Sequence, residues 1–302
     1  KYEVEASAAD VAERYGYGSP LHLAVKQLFP VSGNSATFPV TIYPVKAGSS
    51  DVAAEGSIAI TGPATKAGSG TVTIGGIEAD FAVTKGETAA ELATALVGAI
   101  NAVLDMPVTA AVELQDTAKV VLTAKWKGAN GNRILLGAEY DAEGITLTLS
   151  AMADGAGVPS VSGALALINT VWETIILNTF DYNDSGLLDE IFEFGNGRWG
   201  TLVKKPILCA TGCVDDYSTR TAITDLRTTD YINFLVVSVG SKELPWVIAA
   251  KAMVNDILTT ADSNPAQNYK GLLTGLKAGA DSAQEDYTVR NMSVNKGSST
   301  NI

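Results

Sequence analysis

The sequence predicts an α/β protein: a discontinuous core with a mostly parallel sheet flanked by helices, plus an inserted α+β segment with an antiparallel sheet and one helix. Two observations predict it. Residues 173–180, 205–211 and 231–239 are continuous apolar runs separated by helical patterns, and none alternates apolar with polar. A strand covered on both faces needs such a run, so all three are expected to be fully buried. Residues 47–154, in contrast, are rich in Gly, Ala, Thr and Val with period-two segments at 57–61, 71–74, 119–125 and 145–149. Those segments read as half-buried antiparallel strands.

The elements follow in order. Residues 1–5 read as a strand. Ser7 with Asp10 resembles a capping box opening a helix to Tyr15. Gly16-Tyr17-Gly18 breaks it, and Ser19-Pro20 starts another, with Ser as N-cap and Pro at the first helical position. Leu21, Val25 and Leu28 repeat at helical spacing. Residues 37–45 read as a strand whose Pro39 and Pro44 place it at an edge or mark its ends. In the β-rich segment, Gly75-Gly76, 129–131 and Glu143-Gly144 are turns. Thr88-Ala-Ala-Glu91 is a capping box for a helix with Leu92, Leu96, Ile100 and Leu104 on one face, stopped by Pro107. After Gly155-Ala-Gly157 the α/β pattern returns. Ser160 caps a helix carrying Val161, Ala164, Leu165, Ile168 and Trp172. Asp184 or Ser185 opens the next, with Leu187, Leu188, Ile191 and Phe192 inward. A third spans 216–227. Pro245 starts a helix of Trp246, Val247, Ile248, Met253, Val254, Ile257 and Leu258, apolar nearly all round and therefore buried. A polar loop over 262–268 ends it.

The chain of 302 residues, 46% hydrophobic, has room for two domains and a sizeable core. Its 33 acidic and 21 basic residues leave a net charge of −12. No stretch gathers Lys and Arg into a patch, which argues against nucleic-acid and anionic-membrane partners. No apolar run reaches membrane-span length, and the start is not signal-like. Lys1 in place of an initiating Met reads as a processed or trimmed start. Residues 47–154 hold 13 acidic and 6 basic side chains, net −7, and are the more acidic part per residue, as a solvated domain would be.

Candidate chemistry weakens on inspection. Gly195-Asn-Gly197-Arg-Trp-Gly200 has the spacing of a phosphate loop, but it follows a helix and leads into a strand, the reverse of the dinucleotide arrangement. It reads as a glycine helix stop with Arg198 and Trp199 packed beside it. Asp181-Tyr-Asn183-Asp-Ser185-Gly186 opens like a calcium loop, but the position for the bidentate Glu is Phe192. It reads as a polar turn and N-cap. His22 is the single histidine and lies inside a helix between Leu21 and Leu23, so neither a Ser-His-Asp triad nor a His-based metal site is expected. Cys209 and Cys213 read as reduced, half-buried small hydrophobes and not as a redox pair. Asp215-Asp216 follows a core strand on the side where α/β proteins bind ligands. With no basic or metal-binding companion in sequence, the pair reads as a helix cap. Lys204-Lys205 reads as a doublet snorkelling at a strand start. Trp126, Trp172, Trp199 and Trp246 read mostly as core. No catalytic, cofactor-binding or metal-ligating residue is assigned.

Several segments in order carry a resemblance. Tyr15-Gly-Tyr-Gly-Ser-Pro-Leu-His-Leu-Ala-Val-Lys-Gln-Leu-Phe29 resembles the GxGSxL helix of the contractile tail sheath proteins of Mu-like bacteriophages and prophages, and Val40-Thr-Ile-Tyr-Pro-Val45 resembles the strand that follows it. Gly86-Glu-Thr-Ala-Ala-Glu-Leu-Ala93, a helix ending in Ala-Ile-Asn-Ala102, Pro107-Val-Thr-Ala-Ala111 and Leu122-Thr-Ala-Lys-Trp-Lys-Gly-Ala-Asn-Gly-Asn132 are similar to that family's insertion. Asn178-Thr-Phe-Asp-Tyr-Asn-Asp184 and Arg198-Trp-Gly200 fall in the expected places. The resemblance implies a structural subunit, not an enzyme, needing no cofactor. It would polymerise with itself around a tail tube, meet the tube protein and baseplate, be assembled in the host bacterial cytoplasm and reside in the virion tail. The change of character at Ala47, the Gly-rich joints and the α/β elements on both sides already divide the chain into a core of residues 1–46 and 155–280 and an insert of 47–154; the resemblance adds that residues 281–302 open a further, truncated domain. Without its terminal arms the fragment is expected to be monomeric or weakly associating. Two other readings stand beside this one. An α/β enzyme would bind substrate near 179–184, 211–216 and 240–243, motivated by the scaffold alone. A glycan-binding adhesin would have Trp126 as its single tryptophan in the β-rich segment.

Overall fold

The computed structural model describes residues 2–4, 7–29, 39–168, 170–254, 275–277, 279–295 and 299–300. Strand β1 (Tyr2–Val4) pairs antiparallel with β2 (Val40–Ile42). The strand expected over 37–45 is thus shorter, and Thr37 and Phe38 lie outside the described residues, as do Lys1 and Glu5. Helix α1 (Ala8–Tyr15) starts where Ser7 Oγ accepts the Ala9 N–H at 3.0 Å. Gly18 turns the chain with φ 79°, and a Cβ there would lie 2.2 Å from the Met106 carbonyl oxygen, so glycine is required twice over. Helix α2 (Pro20–Leu28) follows, capped by Ser19.

The β-rich stretch contains β3 (Ala53–Thr61), β4 (Gly68–Ile74), β5 (Ile77–Val83), α3 (Ala89–Ala102), β6 (Val108–Val112), β7 (Lys119–Lys127), β8 (Leu136–Tyr140) and β9 (Thr146–Ala153). These strands form two antiparallel sheets, in the orders β6-β7-β3-β9 and β5-β4-β8. A single sheet was expected. Two are needed because each alternates buried and exposed residues and has an apolar face to cover: Ile58 and Leu122 in one, Val72, Ile74 and Phe81 in the other. The Thr88–Glu91 capping box on α3 is reciprocal, and Leu92, Leu96 and Ile100 are buried. Leu104, expected on that face, lies past the helix end and is exposed.

The remaining elements are α4 (Ser162–Ile168), β10 (Ile175–Asn178), α5 (Ser185–Trp199), β11 (Leu208–Cys213), α6 (Tyr217–Thr224), β12 (Asn233–Val237), α7 (Pro245–Ala252), α8 (Tyr287–Asn295) and β13 (Ser299–Thr300). Strands β10-β11-β12-β13 pair in that order, all parallel. The molecule is therefore mixed α/β, with eight helices among the described residues. The three expected core strands exist, but each is shorter at its start. Asp230 Oδ1 accepts the N–H groups of both Ile232 and Asn233, a local turn that delays β12. Strand β11 starts after Pro206 and includes Cys213. Full burial of all three does not hold: β10 is the sheet edge, and Ile175, Ile176 and Leu177 are half-buried. On β12, Val236 packs with Ile248 and Ala249 of α7, whereas Leu235 and Val237 pack on the opposite face with Tyr182 and Cys213. Coverage of both faces explains the unbroken apolar run.

Three helical expectations change. Gly195 and Gly197 lie inside α5 and do not stop it; a Cβ on Gly195 would come 2.8 Å from Ile232, so glycine here admits the strand. Trp172 lies beyond α4 and is 53% exposed, and Trp199 is 47% exposed, so only Trp246 and the half-buried Trp126 join the core. The two outer indoles sit at the start of the sheet, bonded to the backbone just before β11. Lys204 is not at a strand start but in a loop, at φ 52°. Helix α7 is buried as expected; Ile257, Leu258 and the loop over 262–268 lie outside the described residues. One apolar cluster joins both parts of the molecule: Leu23, Ala24 and Leu28 of α2 and Trp246, Val247 and Ala250 of α7 pack together with the inward residues of β3–β9.

Candidate functional site

The carboxyl ends of β10 and β11 are where an α/β sheet presents its loops to a ligand. Here the loops 179–184 and 214–216 meet a third, the 3-10 turn Ala129–Arg133 that follows β7. Arg133 reaches across. Its Nε donates to Asp181 Oδ2 and its Nη1 donates to Asp215 Oδ2 at 2.8 Å. The guanidinium also lies 5.3 Å above the Tyr182 ring, and Tyr182 Oη donates to the same Asp215 oxygen at 2.5 Å. Asn130 Nδ2 donates to the Thr179 carbonyl at 3.1 Å while its Oδ1 accepts from Trp126 Nε1 at 2.9 Å. Trp126 in turn meets Trp246 edge to face with centroids 5.6 Å apart.

The electrostatics fit a structural network. Burial opposes the Arg133 charge, but the hydrogen bond and charge of Asp181 and the charge of Asp215 outweigh it and hold the pKa above its usual value. Burial, then the neighbouring Cys213 and Asp215, push the Tyr182 hydroxyl up, so it remains a donor. Burial pushes the Cys209 and Cys213 thiols up to about 12, leaving both protonated, fully buried and unpaired with each other. Asp184 is raised to about 6, by burial and then by the charge of Asp181.

A second network binds the C-terminal elements. Arg220, fully buried, donates to both Glu285 carboxylate oxygens at 2.7 and 2.6 Å, to Ser293 Oγ, and to the Asp215 carbonyl at 3.0 Å. Asp215 therefore touches both arginines, one through its carboxylate and one through its backbone.

Asp216 caps α6 by accepting the Thr219 N–H at 2.8 Å, as its position implies. Asp215 does not act as a cap: its basic companion, missing from the local sequence, is Arg133, 82 residues away. Asp184 occupies the N-cap position of α5 without a side-chain cap bond, and Asp181 pairs with Arg133, so the calcium-like string is a turn. His22 is buried in α2. Its Nδ1 accepts the Gly18 N–H at 3.1 Å, its Nε2 lies 3.8 Å from Asp105, and burial lowers its pKa. Among the described residues no three His, Cys, Asp or Glu side chains are grouped to hold a metal ion. The third suspected ligand-facing loop carries Glu243, which accepts from Lys251 and from the Lys277 N–H. No helix among the described residues is long and apolar enough to cross a membrane.

Arg133, Arg220 and Glu285 were not singled out in the sequence. The signal available was composition: the chain has 15 lysines but six arginines. A rigid five-donor fork is favoured over lysine where two carboxylates must be joined out of water.

Comparison with known proteins gives one informative match. The chain is 29% identical over 291 residues to the Mu-like prophage FluMu tail sheath protein of Haemophilus influenzae, an alignment covering 95% of this chain and 58% of that protein. The chain thus spans little more than half the length of this relative. The resemblance to phage tail sheath proteins noted from the sequence is borne out by this similarity. No family profile matches the chain. Among solved structures, the D1-D2-D3 domains of the Escherichia coli flagellar cap protein FliD align over 62% of this chain and 66% of theirs at 12% identity, with a TM-score of 0.20, too low to bear on the fold.

Proposed function

We propose, from its similarity to a prophage tail sheath protein, that this chain is a structural, non-enzymatic part of a contractile tail sheath subunit. The observation that carries the reading is the similarity over 95% of the chain. In this reading residues 1–46 and 155–280 form the wall of a helical tube, 47–154 projects from it, and 281–302 opens a further domain. Support for the insertion comes from the paired Val52 and Ala156, which bond N–H to carbonyl in both directions at 2.9 and 3.2 Å and bring its two ends together. The subunit packs on copies of itself, on a tail tube protein and on a baseplate; it assembles in the bacterial cytoplasm and resides in the virion tail. Shortening proceeds by rigid-body rearrangement of subunits. The alternative of an α/β enzyme gains no support, because the sheet end it would use is filled by Arg133.

Electron microscopy of the intact gene product tests this. Tubes or rings are expected; their absence under every salt and concentration condition would count decisively against a sheath role.

A further inference from the structure

At the amino-terminal end of the parallel sheet, opposite the Arg133 network, six apolar side chains remain open to solvent. Leu202 is 98% exposed, Trp172 and Trp199 about half, and Val203, Leu208 and Tyr231 more than a third. The two tryptophans hold one short stretch of backbone. Trp172 Nε1 donates to the Pro206 carbonyl at 2.9 Å, Trp199 Nε1 donates to the Ile207 carbonyl at 3.2 Å, and Trp199 meets Tyr231 edge to face at 5.5 Å. Both indole N–H groups are thus satisfied internally, which fixes the rings and leaves only apolar surface outward. Such rigid aromatics supply binding energy at low entropic cost. Exposed apolar residues grouped in this way, and not scattered singly, mark interaction sites.

The rim adds charge. Lys204 and Lys205 adjoin Leu202 and Val203 on a chain of net charge −12, and Lys204 is held in the left-handed region at φ 52°. Non-glycine residues keep such a conformation at a cost of about 1–3 kcal/mol, typically at functional positions.

We propose that this patch is a docking surface for a second copy of this chain, met through that copy's acidic surface, which is densest over 47–154. A patch of apolar and lysine side chains that meets a different, acidic surface makes a head-to-tail contact, the kind that extends into open assemblies. This inference rests on the self-assembly reading above and assigns it a surface.

Sedimentation velocity across about 1–300 µM at low salt tests it. Association is expected, weakened at least about tenfold by Leu202→Asp, by Lys204→Glu and by ~0.5 M salt, and unchanged by Leu114→Asp, an equally exposed leucine in the β6–β7 loop. Circular dichroism confirms that each variant is folded. Association that survives both patch variants, or a chain that sediments as a monomer throughout, overturns the patch. Tube formation by the intact gene product, scored separately, decides the self-assembly reading.

Discussion

Asp184 is a carboxylate whose position works against its charge. Burial and the neighbouring Asp181 raise its pKa from 3.8 to about 6. A raised folded pKa means that the folded state holds its proton more tightly than the unfolded state. The resulting stabilisation is present in full below about pH 4 and is lost as pH rises through about 6. Replacing Asp184 by Asn removes the penalty, and no capping bond is lost because the Asp184 side chain makes none. The Asp184→Asn protein is expected to be more stable than the parent by about 1 kcal/mol at pH 7.5, a figure reduced for partial solvent screening, and equal to it near pH 3.5. Urea titrations at the two pH values measure both differences. Residue chemistry of this kind was partly legible: Thr88, Ser19 and Asp216 cap the helices their sequences announced. Arg133 was not, because its partners lie 48 and 82 residues away and no local pattern records them.

At the scale of elements, apolar periodicity located the three long strands of the parallel sheet and the helices around them, while local hydrogen bonds set where each begins; the short β13 and the helix before it, Tyr287–Asn295, carry no such pattern and were not foreseen. The period-two segments marked four strands of the β-rich part, but β5, β6 and β8 had to be added. With them came the second sheet, because strand partners are chosen by long-range packing. Strand β11 and helix α7 approach closely at Gly212. A Cβ on Gly212 would fall 1.7 Å from the Pro245 carbonyl oxygen, with backbone on both sides. Gly212→Ala must push the buried helix α7 off the sheet, and a loss of more than about 3 kcal/mol is expected, read as a lowered melting temperature. Gly197→Ala is the control: its Cβ would meet nothing within 4 Å, and it lies inside α5, where Ala is the better helix former.

Across the whole molecule, the β-rich part and the parallel sheet are joined by a shared apolar cluster and by Arg133. Replacing Arg133 with Met leaves Asp181 and Asp215 facing each other without a counter-charge in a partly dry site. Breaking a fully buried pair costs about 3–5 kcal/mol; the residual exposure of these carboxylates reduces the expected loss to about 2 kcal/mol. Arg133→Lys should recover less than half of it, since one ammonium does not reproduce the fork. Chemical denaturation of both variants checks the order. The sequence predicted a solvated, separable insert; the apolar cluster that crosses from β3–β9 to α2 and α7 was hidden in helices whose apolar faces had no visible addressee.

The crossed rings of Trp126 and Trp246 have a mechanical meaning. Each ring stands in the other's path, one carried by a strand and one by a buried helix. To twist one part of the molecule against the other, an edge must ride over a face before anything turns. The contact therefore resists rotation between the two parts as well as holding them together.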